Sequence, residues 1–353
     1  MIKSISLLRR RFSVTIVLIS LMLFACGKST SEYQQSLYIF GTVVDIKLRS
    51  TSEAQADEAV RVVDKAFQRM HKDWHAWKPG ELSNLNHSFV SDQPRPVTSF
   101  LLPIILQSQE LYKQSEGLFN PAIGKLIALW GFHSDDLPSG PPPVSNAIAE
   151  LVKQAPGMDD LEVSNNQIRS RNPTVDLDFG GFAKGYALAI AIDLLREQGI
   201  ENAIVNAGGD LCVGGEHSGR PWRVGVRHPQ GSGIIAAIDA SDGECVLTSG
   251  NYERYREHDG VRYPHIIDPR DGLPVRHIAS ATVIDSDGGR ADAAATALTV
   301  AGPDAWFRIA KKMQLKYVML VDESGAVHMN PAMAKRMEFQ GTQPEQIIIS
   351  DPL

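Results

Sequence analysis

The stretch from Asp176 to Ile190, DLDFGGFAKGYALAI, constrains this chain most, because an apolar and acidic run stops at two glycines and resumes with helical spacing. Ala183, Ala187, Ile190, Ala191, Leu194 and Leu195 recur at the intervals of one buried helical face, so the stretch is expected as strand, tight turn and helix. Gly180 and Gly181 carry no Cβ to hold a ligand away from the backbone. The start of such a helix offers free N–H groups and a positive dipole end to an anion such as phosphate. A glycine-rich connection with no ligand fits the same residues.

The chain has 353 residues, 43% hydrophobic and 22% charged, an ordinary globular balance with room for one large core or two smaller ones. Its net charge of -6 and the lack of a Lys/Arg stripe beyond the N-terminus exclude a general nucleic-acid binder. Lys3, Arg9, Arg10 and Arg11 precede an apolar run from Phe12 to Ala25, the pattern of an export signal over residues 1–25. Leu23-Phe24-Ala25-Cys26 resembles the bacterial lipobox, which makes Cys26 a lipidated N-terminus followed by a polar tether over 26–36. Cleavage to a soluble protein and an uncleaved anchor are the alternatives. Cys212 and Cys245 lie in strand-like runs, and an oxidising compartment allows a disulfide between them; two buried free thiols fit equally well.

Along the chain, Leu37 to Leu48 is expected as a half-buried strand interrupted at Gly41-Thr42, and a helix capped by Ser52 follows to about His71. Trp74 to Asn86 is expected as an aromatic, polar loop. Further helices are expected over Ser99 to Gln114, Asn146 to Gln154, Arg290 to Val300 and Pro303 to Lys312. Hairpins are expected at Trp222 to Ile238 and at Tyr317 to Met329. Helices and strands mix without regular alternation and the hairpins imply antiparallel pairing, so the fold class is α+β, one large domain over 37–340 with a peripheral tail over 341–353.

Asp292 and Thr296 stand four apart, on one face of a helix, where a carboxylate and a hydroxyl both reach one hard cation. An aspartate complementing the helix dipole and a threonine bonded back to a carbonyl would look the same. So few charged ligands suit Mg²⁺ that keeps positions for phosphate oxygens. His265, with an ordinary pKa near neutrality, suits a proton-transfer role, and a structural histidine pinned by Pro264 and Pro269 is its other reading.

Asp178-Phe-Gly-Gly-Phe-Ala-Lys-Gly-Tyr-Ala, Asn206-Ala-Gly-Gly-Asp-Leu, Thr248-Ser-Gly-Asn, His265-Ile-Ile-Asp-Pro-Arg-Asp-Gly and Ala291-Asp-Ala-Ala-Ala-Thr-Ala-Leu together resemble the ordered motifs of the ApbE family of FAD:protein FMN transferases. The likeness runs from about residue 38 to about residue 320. It implies an extracytoplasmic enzyme that binds FAD with Mg²⁺, splits the pyrophosphate and attaches FMN through a phosphoester to a threonine of an acceptor protein, releasing AMP. By the same resemblance, Asp292 and Thr296 hold Mg²⁺ through side chains and Gly181 through its carbonyl. Asp178 and Lys184 contact FAD, Phe40, Trp77, Leu118, Phe119 and Asn120 line it, and His265 serves the transfer step, with Asp292 counted as catalytic.

Three positions depart from the family pattern. Asn120 stands where aspartate is common, Trp77 where tyrosine is common, and Gly80 with a one-residue shortening where a serine often precedes Glu81. These bear on adenine-side contacts and FAD affinity. An FAD pyrophosphatase using water as nucleophile and a non-catalytic flavin-binding lipoprotein are the competing functions. The expected location is the periplasmic face of a bacterial membrane, the inner favoured over the outer. The expected acceptor is a membrane-associated redox subunit.

Overall fold

A computed structural model describes residues 32–136 and 138–353. The expected signal, Cys26 and the first part of the tether lie outside those residues. Nine strands form the central sheet, numbered alike along the chain and across the sheet: β1 (Glu32–Ile39), β2 (Thr42–Arg49), β3 (Asn202–Ala207), β4 (Asp210–Gly214), β5 (Cys245–Gly250), β6 (Ile278–Asp285), β7 (Tyr317–Asp322), β8 (Val327–Met329) and β9 (Ile347–Ile349). Every neighbouring pair is antiparallel except β8 with β9. The α+β class therefore holds. Glu32 to Ser36, expected in the tether, are already paired with β2, and β9 brings part of the 341–353 tail to the sheet edge.

The single interrupted strand expected at Leu37 to Leu48 is in fact a hairpin. The chain reverses at Phe40 and Gly41, both left-handed (φ 56° and 73°), as a two-residue turn between twisted strands requires. A phenylalanine there costs about 1–2 kcal/mol relative to an ordinary conformation. Its ring packs on Phe67, with centroids 5.2 Å apart, which holds the turn in place.

The helices are α1 (Glu53–Asp73), α2 (Glu81–Ser88), α3 (Leu102–Gln114), α4 (Gly124–Leu129), α5 (Ser145–Lys153), α6 (Ala183–Glu197), α7 (Gly288–Lys312) and α8 (Pro331–Ala334). Ser52 caps α1 as expected, its side chain accepting the Gln55 N–H at 3.3 Å. Part of the loop expected at Trp74 to Asn86 is helical: Leu82, Leu85 and Asn86 are buried at helical spacing, and Ser83 Oγ accepts the Gly80 N–H. The two helices expected after Arg290 form one run, broken at Gly302 (φ 74°) just before Pro303.

Strand alternation divides the core in two. Val205, Cys212, Cys245, Leu247, Ala281, Val283, Val318 and Leu320 face the helices, whereas Leu211, Val213, Val246, Ile284, Met319 and Val321 face a three-stranded sheet ordered Met337–Phe339, Ile234–Ala240, Trp222–Arg227. Cys212 and Cys245, opposite one another on β4 and β5, form a disulfide.

Candidate active site

The organising stretch places its helix where expected but not its strand. Asp176 makes one isolated bridge to Ile123, and Leu177 is held by the buried Asn86 side chain. Leu177 N–H donates to Asn86 Oδ1 (2.8 Å) and Asn86 Nδ2 donates back to Leu177 O (2.9 Å), the pairing a strand neighbour would give. With one side of its backbone bonded to residues 121–124 and the other to the Asn86 side chain, the segment turns at Phe179 to Phe182 and enters α6.

Helices α6 and α7 cross at glycines. A Cβ on Gly185 would collide with the Gly288 carbonyl and lie 2.8 Å from Asp292 Cβ, so only glycine admits this approach. The approach lets Gly185 N–H donate to Asp292 Oδ2 at 2.8 Å. Oδ1 takes no hydrogen bond among the described residues. Burial, with the Asp210 charge next, pushes the Asp292 carboxyl up from the usual carboxylate range. One turn on, Thr296 Oγ1 donates to Gly181 O (3.3 Å) and lies 3.2 Å from Ser249 Oγ. A Cβ on Gly181 would stand 2.9 Å from Thr296 Oγ1, so the glycine keeps this cradle open.

The donors here are all oxygen, with one carboxylate, and no group of three or more His, Cys, Asp or Glu suited to a metal occurs among the described residues. That chemistry fits a hard cation such as Mg²⁺ sharing its shell with phosphate oxygens, and does not fit a metal held by protein alone. Asp292, Thr296 and the Gly181 carbonyl would hold it, with Ser249 beside them.

Lys184, from the first turn of α6, pairs with the buried Asp210 of β4, whose Oδ1 also accepts the Thr248 N–H at 2.7 Å. Burial alone would pull the Lys184 ammonium down, but the charges of Asp210, Glu253 and Asp292 hold it well above its usual range. Asp178 is also spoken for: its Oδ2 lies 2.9 Å from His133 Nε2 and its Oδ1 accepts the Gly180 N–H at 2.7 Å. Burial pushes this carboxyl up, yet the His133 and Gly180 contacts keep it below the ordinary range, hence ionised.

His133 stacks on Trp77 with centroids 4.7 Å apart, Trp77 meets His75 edge-on, His75 meets His71, and His71 meets Phe40. This ring ladder gives Phe40 and Trp77 one continuous wall suited to a planar ligand. Leu118 and Phe119 instead have their side chains in the main core, leaving backbone to offer a ligand. Asn120 ties down its own turn, donating to Pro156 O (2.9 Å) and accepting the Ala122 N–H (3.0 Å).

His265 Nδ1 lies 3.1 Å from the Arg254 carbonyl. A carbonyl only accepts, so Nδ1 carries the proton and Nε2 keeps its lone pair. Burial pulls its pKa down to about 4, so the ring is neutral at ordinary pH. Arg254 in turn donates to Ser134 O (2.8 Å), tying this loop to the segment that bears His133.

The profile described as "ApbE family" matches residues 40–319. The chain belongs to the ApbE family. The FAD:protein FMN transferase of Rhodobacter capsulatus is 42% identical over 322 residues, spanning 91% of this chain and 61% of that protein. That of Vibrio cholerae serotype O1 is 30% identical over 313 residues, spanning 87% and 92%. Among solved structures, the ApbE protein from Thermotoga maritima superposes with a TM-score of 0.79 at 29% identity, covering 87% of this chain and 99% of that one. The flavin transferase ApbE from Vibrio cholerae gives 0.76 at 26%, with the same coverage.

Within this ApbE chain, a hydrogen bond joins Thr296 to Gly181, Asp292 stands one turn before Thr296 and is bonded to Gly185, and the charge of Asp292 acts on Lys184. Ser249 and Asp210 lie inside the same motifs, although spacing alone does not single them out. Their position at strand ends, each next to a glycine, was the available signal. His133 had no local signal, because its role arises only when residues 45 positions apart, His133 and Asp178, meet.

Proposed function

We propose that this chain transfers FMN from FAD to a threonine of an acceptor protein through a phosphoester bond, releasing AMP. The observation that carries this reading is the convergence of the Gly181, Ser249 and Thr296 oxygens beside buried Asp292, in a chain of the ApbE family. The Rhodobacter capsulatus and Vibrio cholerae relatives both bear the name FAD:protein FMN transferase.

In this reaction the threonine Oγ attacks the FMN-side phosphorus of FAD. The bond from that phosphorus to the bridging oxygen breaks, and AMP leaves with the oxygen. His265 Nε2, unprotonated and free to accept, takes the hydroxyl proton. Asp292, Thr296 and the Gly181 carbonyl would hold Mg²⁺, which would neutralise charge on the phosphate oxygens. Lys184 adds positive charge beside them, Asp178 orients FAD, and Phe40 and Trp77 flank its ring. Leu118, Phe119 and Asn120 border it through their turn. Lipid on Cys26 would hold the enzyme at the periplasmic face, the inner membrane favoured, where a membrane-associated redox subunit is the acceptor.

The test mixes the purified protein, FAD and Mg²⁺ with a periplasmic domain bearing a threonine acceptor motif. Transfer gives an acid-stable fluorescent band and the FMN mass increment. Free FMN without adduct would mean hydrolysis, and unchanged FAD would mean binding alone. Asp292→Ala should abolish both transfer and its Mg²⁺ dependence; full activity in that variant would refute the metal assignment.

A further inference from the structure

The three-stranded sheet covers only part of the central sheet. Its core takes in Leu211 and Val213 of β4, Val246 of β5, Ile284 of β6 and Met319 of β7, but stops short of β1 and β2. On that uncovered side β2 presents Val43, Asp45 and Lys47, while the alternate residues Val44, Ile46 and Leu48 are buried toward the helices.

Two cavities of about 620 Å³ and 270 Å³ lie along this boundary and share Asp45 and Asn206 in their linings, which makes them one groove. Its long wall is the strand Trp222–Arg227. Trp222 and Arg223 line the smaller cavity, and Gly225, Val226 and Arg227 the larger. Consecutive residues of a strand point to opposite faces, so lining by both parities means that the strand turns its edge to the groove. The inner edge pairs with Ile234–Ala240; among the described residues the outer edge has no strand partner. An unpaired edge of N–H and C=O groups is a template for another strand.

Gly208, Gly209, Thr248 and Glu253 also line the larger cavity. A Cβ on Gly209 would meet nothing within 4 Å, so backbone borders the space. Thr248 is bonded to Asp210, the partner of Lys184, and the next residue, Ser249, touches Thr296. Thr248 and Ser249 are consecutive on β5 and face opposite sides of the central sheet, so the groove reaches the cation side round the end of the sheet, at the Gly208–Gly209 turn, whose next residue, Asp210, pairs with Lys184. The groove's ionic lining is mixed, with Glu32, Asp45 and Glu253 alongside Lys47, Arg220, Arg223 and Arg227, which does not select a polyanion and suits a polar polypeptide.

We propose that this groove receives the acceptor protein as an added β-strand along Trp222–Arg227, delivering its threonine past the Gly208–Gly209 turn at the end of the central sheet. The inference rests on the flavin-transfer reading. The test uses the full enzyme and, as probe, the threonine-bearing periplasmic domain that the wild type labels. Val43, about half exposed, is changed to arginine to obstruct the groove, and Arg227→Glu is made separately.

Both variants should raise the KM for the acceptor domain about tenfold or more, the scale of one or two lost interactions, with FAD affinity by flavin fluorescence unchanged. Backbone amides of Trp222–Arg227 should gain hydrogen-exchange protection when the acceptor is added. An unaltered acceptor KM in both variants overturns the groove and leaves the transferase reading standing. A matching loss of FAD affinity also overturns it, by placing the groove in the flavin site. A dimer that Val43→Arg disperses without changing KM puts a second copy in the groove and likewise overturns the acceptor's place there. Absence of labelling by the wild type overturns the functional reading and this inference together.

Discussion

His265 carries its proton on Nδ1 because the Arg254 carbonyl can only accept, and the same surroundings keep the ring neutral. Protonation would remove the base, and the lowered pKa moves that loss from the ordinary histidine value near 6.5 to about 4. The rate of transfer should therefore hold through pH 6 on the acid side and fall only toward about 4. A single-turnover profile in wild type that halves near 6.5 would contradict this. Stability runs with the same sign: between those two pH values the unfolded chain binds the proton that the folded chain refuses, so stability falls as pH is lowered through that window. At this scale the sequence was informative where chemistry follows from local spacing. Asp292 and Thr296, four apart on a helix, are an example. It was silent on His133, whose contacts with Asp178 and Trp77 come from separate parts of the chain.

Between elements, the decisive feature is the crossing of α6 and α7 at Gly185 and Gly288. Gly185→Ala adds a methyl group that meets backbone and the Asp292 side chain, neither of which is a flexible end. Overpacking of this kind costs about 1–3 kcal/mol, and here it also moves the N–H that fixes Asp292 Oδ2. The unfolding free energy of Gly185→Ala from denaturant titration should drop by that amount and FAD binding in the presence of Mg²⁺ should weaken; an unchanged midpoint would mean that the helices separate at no cost. Legibility varied between elements for physical reasons. α1 and the Trp222 hairpin announced themselves by period and caps. α2 was hidden because Ser83, Asn84, Asn86 and His87 make it polar, its helical spacing resting on Leu82, Leu85 and the buried amide of Asn86. The strand expected at Asp176 shrinks to one bridge, its backbone bonded on one side to residues 121–124 and on the other held only by the Asn86 side chain.

In the molecule as a whole, the central sheet has a narrow waist. β4 and β5 pair through only two residue pairs, Cys245 with Cys212 and Val246 with Leu211, and the disulfide is one of them. The cysteines are 33 positions apart, so closing that loop in the unfolded chain accounts for about 3–4 kcal/mol. Replacing both with serine, or reducing the protein, should lower the unfolding free energy by about that amount, read as a lower denaturant midpoint. It should also loosen Asp210 and Thr248 on either side of the waist, seen as faster exchange of the Thr248 amide that Asp210 accepts. Equal midpoints with and without reductant would deny the bridge any role. The α+β class was visible in the sequence because hairpins and helices are local. The pairing of the cysteines was not, because either state suits two buried sulfurs.

The order of strands across the sheet repeats their order along the chain, but β2 and β3 are separated by all of α1 to α6. The hairpin that carries Phe40 is therefore made first by a growing chain and completed late, since its sheet neighbour, Asn202 to Ala207, is synthesised only after the whole helical layer. Until then β2 has an open edge and its apolar face waits for α1. Closing that long loop loses entropy before the β2–β3 ladder compensates, the largest such loss between consecutive strands of the central sheet. The ring wall at Phe40 and the β2 face at Val43 thus depend on the same long-range ladder for their place in the sheet.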